Sequence, residues 1–175
     1  MSPYKLLFIW VEGNDDERFF RKVLIPRFQE KYDTVKIIRY ATMKHEKIDN
    51  FIKSIKAMGA DYIYLTDING SPCVTAKKEK TQKEHPNIDK DKIIIVIKEI
   101  ESWYLAGLDN KVCKQFKIDN LADTKDVTKE KFNALIPKKF ASRIDFMSEI
   151  LKNFSIEVAK QKNRSFQYFV EKYDC

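Results

Sequence analysis

The chain has 175 residues, 43% of them hydrophobic, and carries 33 Lys and Arg against 26 Asp and Glu for a formal charge of +7. That is enough chain for one well-buried core with a small appendage and too little for two large domains. The cation excess and a pI near 9.1 point to an acidic partner, of which nucleic acid is the commonest. Cys73, Cys113 and Cys175 are widely spaced without a CxxC pair, and His45 and His85 are the only histidines. This argues against a zinc site or a disulfide framework and for free thiols in a reducing, cytoplasmic compartment. No apolar run reaches membrane-spanning length, so no membrane partner is expected. The segment MSPYKLLFIWVEGND reads as a core strand running into acids rather than as a signal peptide.

Lys5 to Val11 is almost continuously apolar, the pattern of a strand buried on both faces by helices. After a turn at Gly13, Asp15 to Phe28 places Phe19, Phe20, Val23, Leu24 and Phe28 at helical spacing, with acids in the first turn where the helix dipole favours them. Thr34 to Arg39 reads as a short strand and Ile48 to Met58 as a helix stopped by Gly59. Strands follow at Asp61 to Thr66 and Lys92 to Ile97. Strand and helix alternating in this order predict an α/β fold with four mainly parallel strands joined by right-handed crossovers. The first and third strands are expected side by side, because both end in acids meant for one crevice.

Between Gly70 and Asp91 the chain is polar and long for a connection, although Thr75 to Glu84 holds good helix formers. Its Lys77, Lys78, Lys80 and Lys83 read either as a solvated face or as a basic flap that touches phosphates. From Glu99 the character changes to helical patterns at Glu101 to Leu108, Lys129 to Leu135, Ala141 to Phe154 and Ser165 to Tyr173, with Thr124 to Thr128 as a flexible connection. The expected organisation is an α/β core over residues 1–108 and a helical extension over 109–175.

The chemistry-bearing residues cluster at strand ends. Glu12 closes the first strand with Asp16 one turn on, Asp67 and Asn69 close the third, and Glu99 and Glu101 follow the fourth. Oxygen donors converging from several elements suit Mg²⁺ or Mn²⁺, while Asp15, Asp16 and Glu17 equally suit a helix N-terminus. Near the end, Lys160, Lys162 and Arg164 flank a polar corner before Ser165, which reads as a helix cap. Lys162 or Arg164 facing a scissile phosphate would stabilise its charge.

Glu12-Gly13-Asn14-Asp15-Asp16 and Asp67-Ile68-Asn69, each after an apolar strand, resemble the Toprim fold, the catalytic domain shared by topoisomerases, bacterial primases and nucleases of the overcoming-lysogenisation-defect family. Glu99 to Ala106 and Asn163-Arg164-Ser165-Phe166 resemble small stand-alone Toprim-like proteins of prokaryotes. The resemblance implies a Toprim/Rossmann-like sheet and gives Glu12 a role in binding metal or moving a proton. It makes Asp16 a ligand of a second metal and Asp67 the first aspartate of a paired Asp-x-Asp motif. Asn69 stands where the second aspartate would be, keeping an oxygen donor and losing a charge that Glu99 or Glu101 would restore. The implied activity is metal-dependent, nuclease-like processing of DNA or RNA phosphodiesters, with Glu12, Asp67 and Lys162 catalytic, Glu12, Asp16, Asp67, Asn69 and Glu101 around the metal, and Mg²⁺ or Mn²⁺ as cofactor. The alternatives are a catalytically degenerate module that binds nucleic acid or a partner, and a phage-defence component that needs another subunit.

Overall fold

The structure is a computed structural model and describes residues 2–175. The chain divides into two compact units, one ending at Ile95 and one running from Val96 to Cys175. The division falls ahead of the expected 108/109 boundary because the helix Glu101–Ala106 packs with the helices that follow it. Among the described residues no helix is long and apolar enough to cross a membrane.

The first unit is a parallel sheet with helical crossovers. β1 (Leu6–Val11) is buried after its first residue, as its apolar run requires. Gly13 caps α1 (Asn14–Phe19), and the Asp16 carboxylate accepts the Gly13 amide at 3.1 Å. The single long helix expected there is interrupted by a π-helical turn at Phe20–Leu24 before α2 (Ile25–Phe28). The Ile25 amide reaches back to the Phe20 carbonyl, and Pro26, with no amide hydrogen to give, cannot continue the ordinary ladder.

β2 (Thr34–Arg39), α3 (His45–Ala57) and β3 (Asp61–Asp67) follow. The helix formers noted at Thr75 to Glu84 form α4 (Val74–Glu84), which leads through a short turn into β4 (Ile93–Val96). Only Lys77 and Thr81 are buried on it, so it lacks the apolar stripe that marks the other helices of this unit. The sheet order is β2-β1-β3-β4 with all strands parallel, and β1 pairs with β2 and β3 in registers that set Trp10 beside Ile38 and Tyr64. Ile9, Trp10 and Val11 are fully buried, each such side chain contributing about 1.5–3 kcal/mol of transfer free energy.

The second unit is all-helical: α5 (Glu101–Ala106), α6 (Asn110–Phe116), α7 (Lys129–Leu135), α8 (Arg143–Lys152), α9 (Ile156–Lys162) and α10 (Arg164–Tyr173). Every residue of α5 is buried. Helices α6 and α9, which the sequence did not announce, are each seven residues long. The Thr124 to Thr128 stretch is not a flexible connection. Thr124 and Val127 are buried, and the Thr124 hydroxyl donates to the Ser102 carbonyl at 2.7 Å and accepts from Asn163 Nδ2 at 3.0 Å.

Candidate functional site at the carboxyl edge of the sheet

The carboxyl ends of β1 and β3 lie side by side, and extending their register by two residues from the Trp10–Tyr64 pair sets Glu12 next to Thr66. In a pleated strand alternate residues share a face, so Tyr64 and Thr66 point together. Both line a cavity of about 250 Å³ with Glu12 and Asn69. Asn69 sits at a left-handed φ of 40° followed by Gly70 at 71°, a turn that asparagine and glycine adopt at little cost. Asp67 closes β3 half-buried and does not line this cavity. The pleat turns it away from the face that Thr66 occupies.

The rest of the lining comes from the segment after β2 and from the facing ends of α3 and α4. Tyr40 and Tyr64 stack with ring centroids 4.6 Å apart, and the Tyr40 hydroxyl donates to the Leu65 carbonyl at 2.6 Å. Burial is the main cause that raises both phenols above their ordinary range, and the Glu12 charge adds to it. They therefore stand protonated as donors at neutral pH. Lys77, buried on α4, lines the same cavity, and is the lysine of the expected basic flap that reaches the acidic edge.

His45 and His85 meet here, with Nδ1 of His45 3.3 Å from Nε2 of His85. Burial, then the neighbouring imidazole, holds His85 below the usual histidine range, so its ring is neutral. Together with Glu84, one ligand atom from each lies within 4.8 Å of the others. These three, with Tyr40, are the cavity residues that the sequence reading passed over. The available signal was that the chain has only two histidines, one at the start of a helix and the other just before Pro86.

The remaining expected residues are engaged elsewhere. Asp16 uses one carboxylate oxygen to close its helix on Gly13. Glu101 is buried in the helical unit and ion-paired to Arg143, its side chain 4% exposed. Lys162 Nζ donates to the Leu108 carbonyl and to Asn120 Oδ1 in that same unit. Asn163, not Ser165, caps α10, accepting the Phe166 amide at 3.0 Å. The Ser165 hydroxyl instead donates to Asn163 Oδ1 and accepts the Trp103 indole N–H, each at 2.8 Å. The two late motifs therefore meet in one polar network, and Trp103 is core.

No family model matches the chain, and no curated protein matches it. Among solved structures, the chain is similar to the C-terminal region of the Burkholderia pseudomallei OLD protein, at 16% identity and a TM-score of 0.33, over 91% of this chain and 90% of that one.

Proposed function

We propose that this chain is a metal-dependent, nuclease-like enzyme that processes nucleic-acid phosphodiesters at the carboxyl edge of its sheet. The observation that carries this reading is that Glu12 and Asn69, from the ends of two adjacent parallel strands, line one cavity together with Lys77. Ligands of open α/β sheets bind outside the carboxyl ends of the strands. Glu12, Asp67 and Asn69 are oxygen donors of the kind that hold hard divalent cations. A bound Mg²⁺ or Mn²⁺ would neutralise charge developing on the phosphate and make a water more acidic. Lys77 supplies the positive charge for the phosphate oxygens, Glu12 holds the ion or takes a proton, and the Tyr40–Tyr64 stack closes one wall. Asp16 joins by turning its carboxylate from the Gly13 amide toward the ion. Glu101 and Lys162, the remaining candidates, belong to the second unit and already hold Arg143, and Leu108 with Asn120.

A second reading, a catalytically degenerate module that binds nucleic acid or a partner, is favoured by the amide of Asn69 and by the partners that Asp16, Glu101 and Lys162 already hold. One experiment separates the two. Single-stranded and nicked DNA, and RNA, are incubated with Mn²⁺ or Mg²⁺ and the wild type, Glu12→Gln or Asn69→Asp. The nuclease reading expects cleavage by the wild type, loss in Glu12→Gln with salt-sensitive binding retained, and a gain in Asn69→Asp, because a carboxylate adds charge and a ligand oxygen. No cleavage by any form, with binding that weakens as salt rises, sinks the nuclease and leaves the module.

A further inference from the structure

We infer that His45, Glu84 and His85 form a second metal site, specific for a borderline divalent ion of the Zn²⁺ class, in the same cavity as Glu12 and Asn69 but with neither of them as a ligand. Two imidazoles and a carboxylate are a ligand set that Zn²⁺ takes in sites that keep a fourth position open, whereas Mg²⁺ and Ca²⁺ prefer oxygen alone. The distance between the two nitrogens is telling. Ligands about 2.0–2.1 Å from a tetrahedral ion stand about 3.3–3.4 Å apart, and His45 Nδ1 and His85 Nε2 are 3.3 Å apart, sharing a hydrogen bond whose proton a bound ion would displace. Glu84 lies within 4.8 Å of both, and its exposed side chain closes the remainder by rotation about its own bonds.

The backbone holds this arrangement from outside the ligand set. His85 ends α4 in a non-helical conformation because a residue before proline is pushed out of the helical region. Two residues later, the Asn87 amide and side chain donate to the two carboxylate oxygens of Asp49 at 2.7 and 2.6 Å. Asp49 is one turn along α3 from His45, so this clamp fixes the His85 segment against the start of that helix. His85 is buried, with the Tyr64 ring 5.8 Å from its own. The two imidazoles are therefore held side by side before any ion arrives, which lowers the cost of binding, and Glu84 turns in to complete the set. Among the described residues His85 Nδ1 is buried without a hydrogen-bond partner.

The proposal is independent of the nuclease reading, since it uses none of Glu12, Asp67 or Asn69. The test is calorimetric titration of the untagged full chain with Zn²⁺ in millimolar Mg²⁺, with Co²⁺ as an absorbing probe of coordination. The wild type is expected to take up one Zn²⁺ per chain and to give Co²⁺ the intense visible bands of a four-coordinate site. His45→Ala and Glu84→Gln, both at exposed positions, should each weaken binding at least about tenfold, by the scale of losing one ligand interaction. Asp67→Asn should leave it unchanged. The proposal falls if the wild type binds no Zn²⁺ stoichiometrically or if His45→Ala and Glu84→Gln bind like the wild type. It also falls if Asp67→Asn loses the ion, which would put it at the oxygen-donor site.

Discussion

Replacing Arg143 with alanine strips the cation from a carboxylate that has little water to fall back on. The Glu101 side chain is 4% exposed and that of Arg143 22%, and an ion pair so placed is expensive to break from one side, at about 3–5 kcal/mol. The guanidinium carbon also lies 5.4 Å from the Phe132 ring centre, a stacking worth roughly 0.5–1 kcal/mol, and Nε donates to Asn133 Oδ1 at 2.8 Å. A chain of this size loses about 2–4 °C of midpoint per kcal/mol, so Arg143→Ala should melt roughly 6–20 °C lower. Urea and thermal unfolding followed by circular dichroism measure this. The double variant Glu101→Met with Arg143→Met should recover most of the loss, because removing both charges leaves none unpaired. A cost below about 1 kcal/mol for Arg143→Ala, the range of an exposed pair, refutes the account of Glu101 as a buried carboxylate held by Arg143. Rescue of the single variant by Mn²⁺ would move Glu101 from scaffold to ion ligand.

Gly107→Ala sets a new Cβ 2.2 Å from the Phe154 ring. Overpacking of that kind costs about 1–3 kcal/mol, and combining it with Phe154→Ala should cost less than the two changes summed, read from urea midpoints. Asp61 gives a pH signature. Burial works to raise its carboxyl, but hydrogen bonds from Lys92 at 2.9 Å and Tyr32 at 2.8 Å outweigh it and hold the pKa below the ordinary value. Stability from this group is present above about pH 3.9, the unfolded value, and is lost as pH falls through the lower folded one. Asp61→Asn should therefore flatten the acid limb of stability against pH, by under about 1 kcal/mol for so exposed a pair. An unchanged limb would contradict this.

β1, β3 and β4 were legible because their middles are apolar and buried, while β2 is only half-buried and mixed in polarity. Glycine marked turns well. Pro26 left no mark on the helical spacing of Asp15 to Phe28, yet a π-helical turn precedes it, and the helix formers before β4 make a crossover helix whose inner face is merely Lys77 and Thr81. The site was legible only in part. Strand ends announced Glu12 and Asn69, since that chemistry is local to one segment. His45 and His85 are 40 residues apart and meet through the Asp49–Asn87 clamp, a long-range contact that no local spacing encodes. The partners that Glu101 and Lys162 hold, Arg143 and Leu108 with Asn120, lie far along the chain, and no local spacing announces them.

The Thr124–Asn163–Ser165–Trp103 network bears on how the helical unit unfolds. Its members come from a loop and from α5 and α10, with 62 positions between Trp103 and its acceptor on Ser165. Little of it can form until the last helix has docked, so ordering of this unit waits on distant parts of the chain. Cutting the chain before Asn163 would expose an apolar seam and also take away hydrogen-bond partners of Thr124 and Trp103. In the intact chain the amides of Thr124 and Phe166 should exchange with solvent in one cooperative step and at a common free energy, as members of a single opening unit rather than as ends that fray.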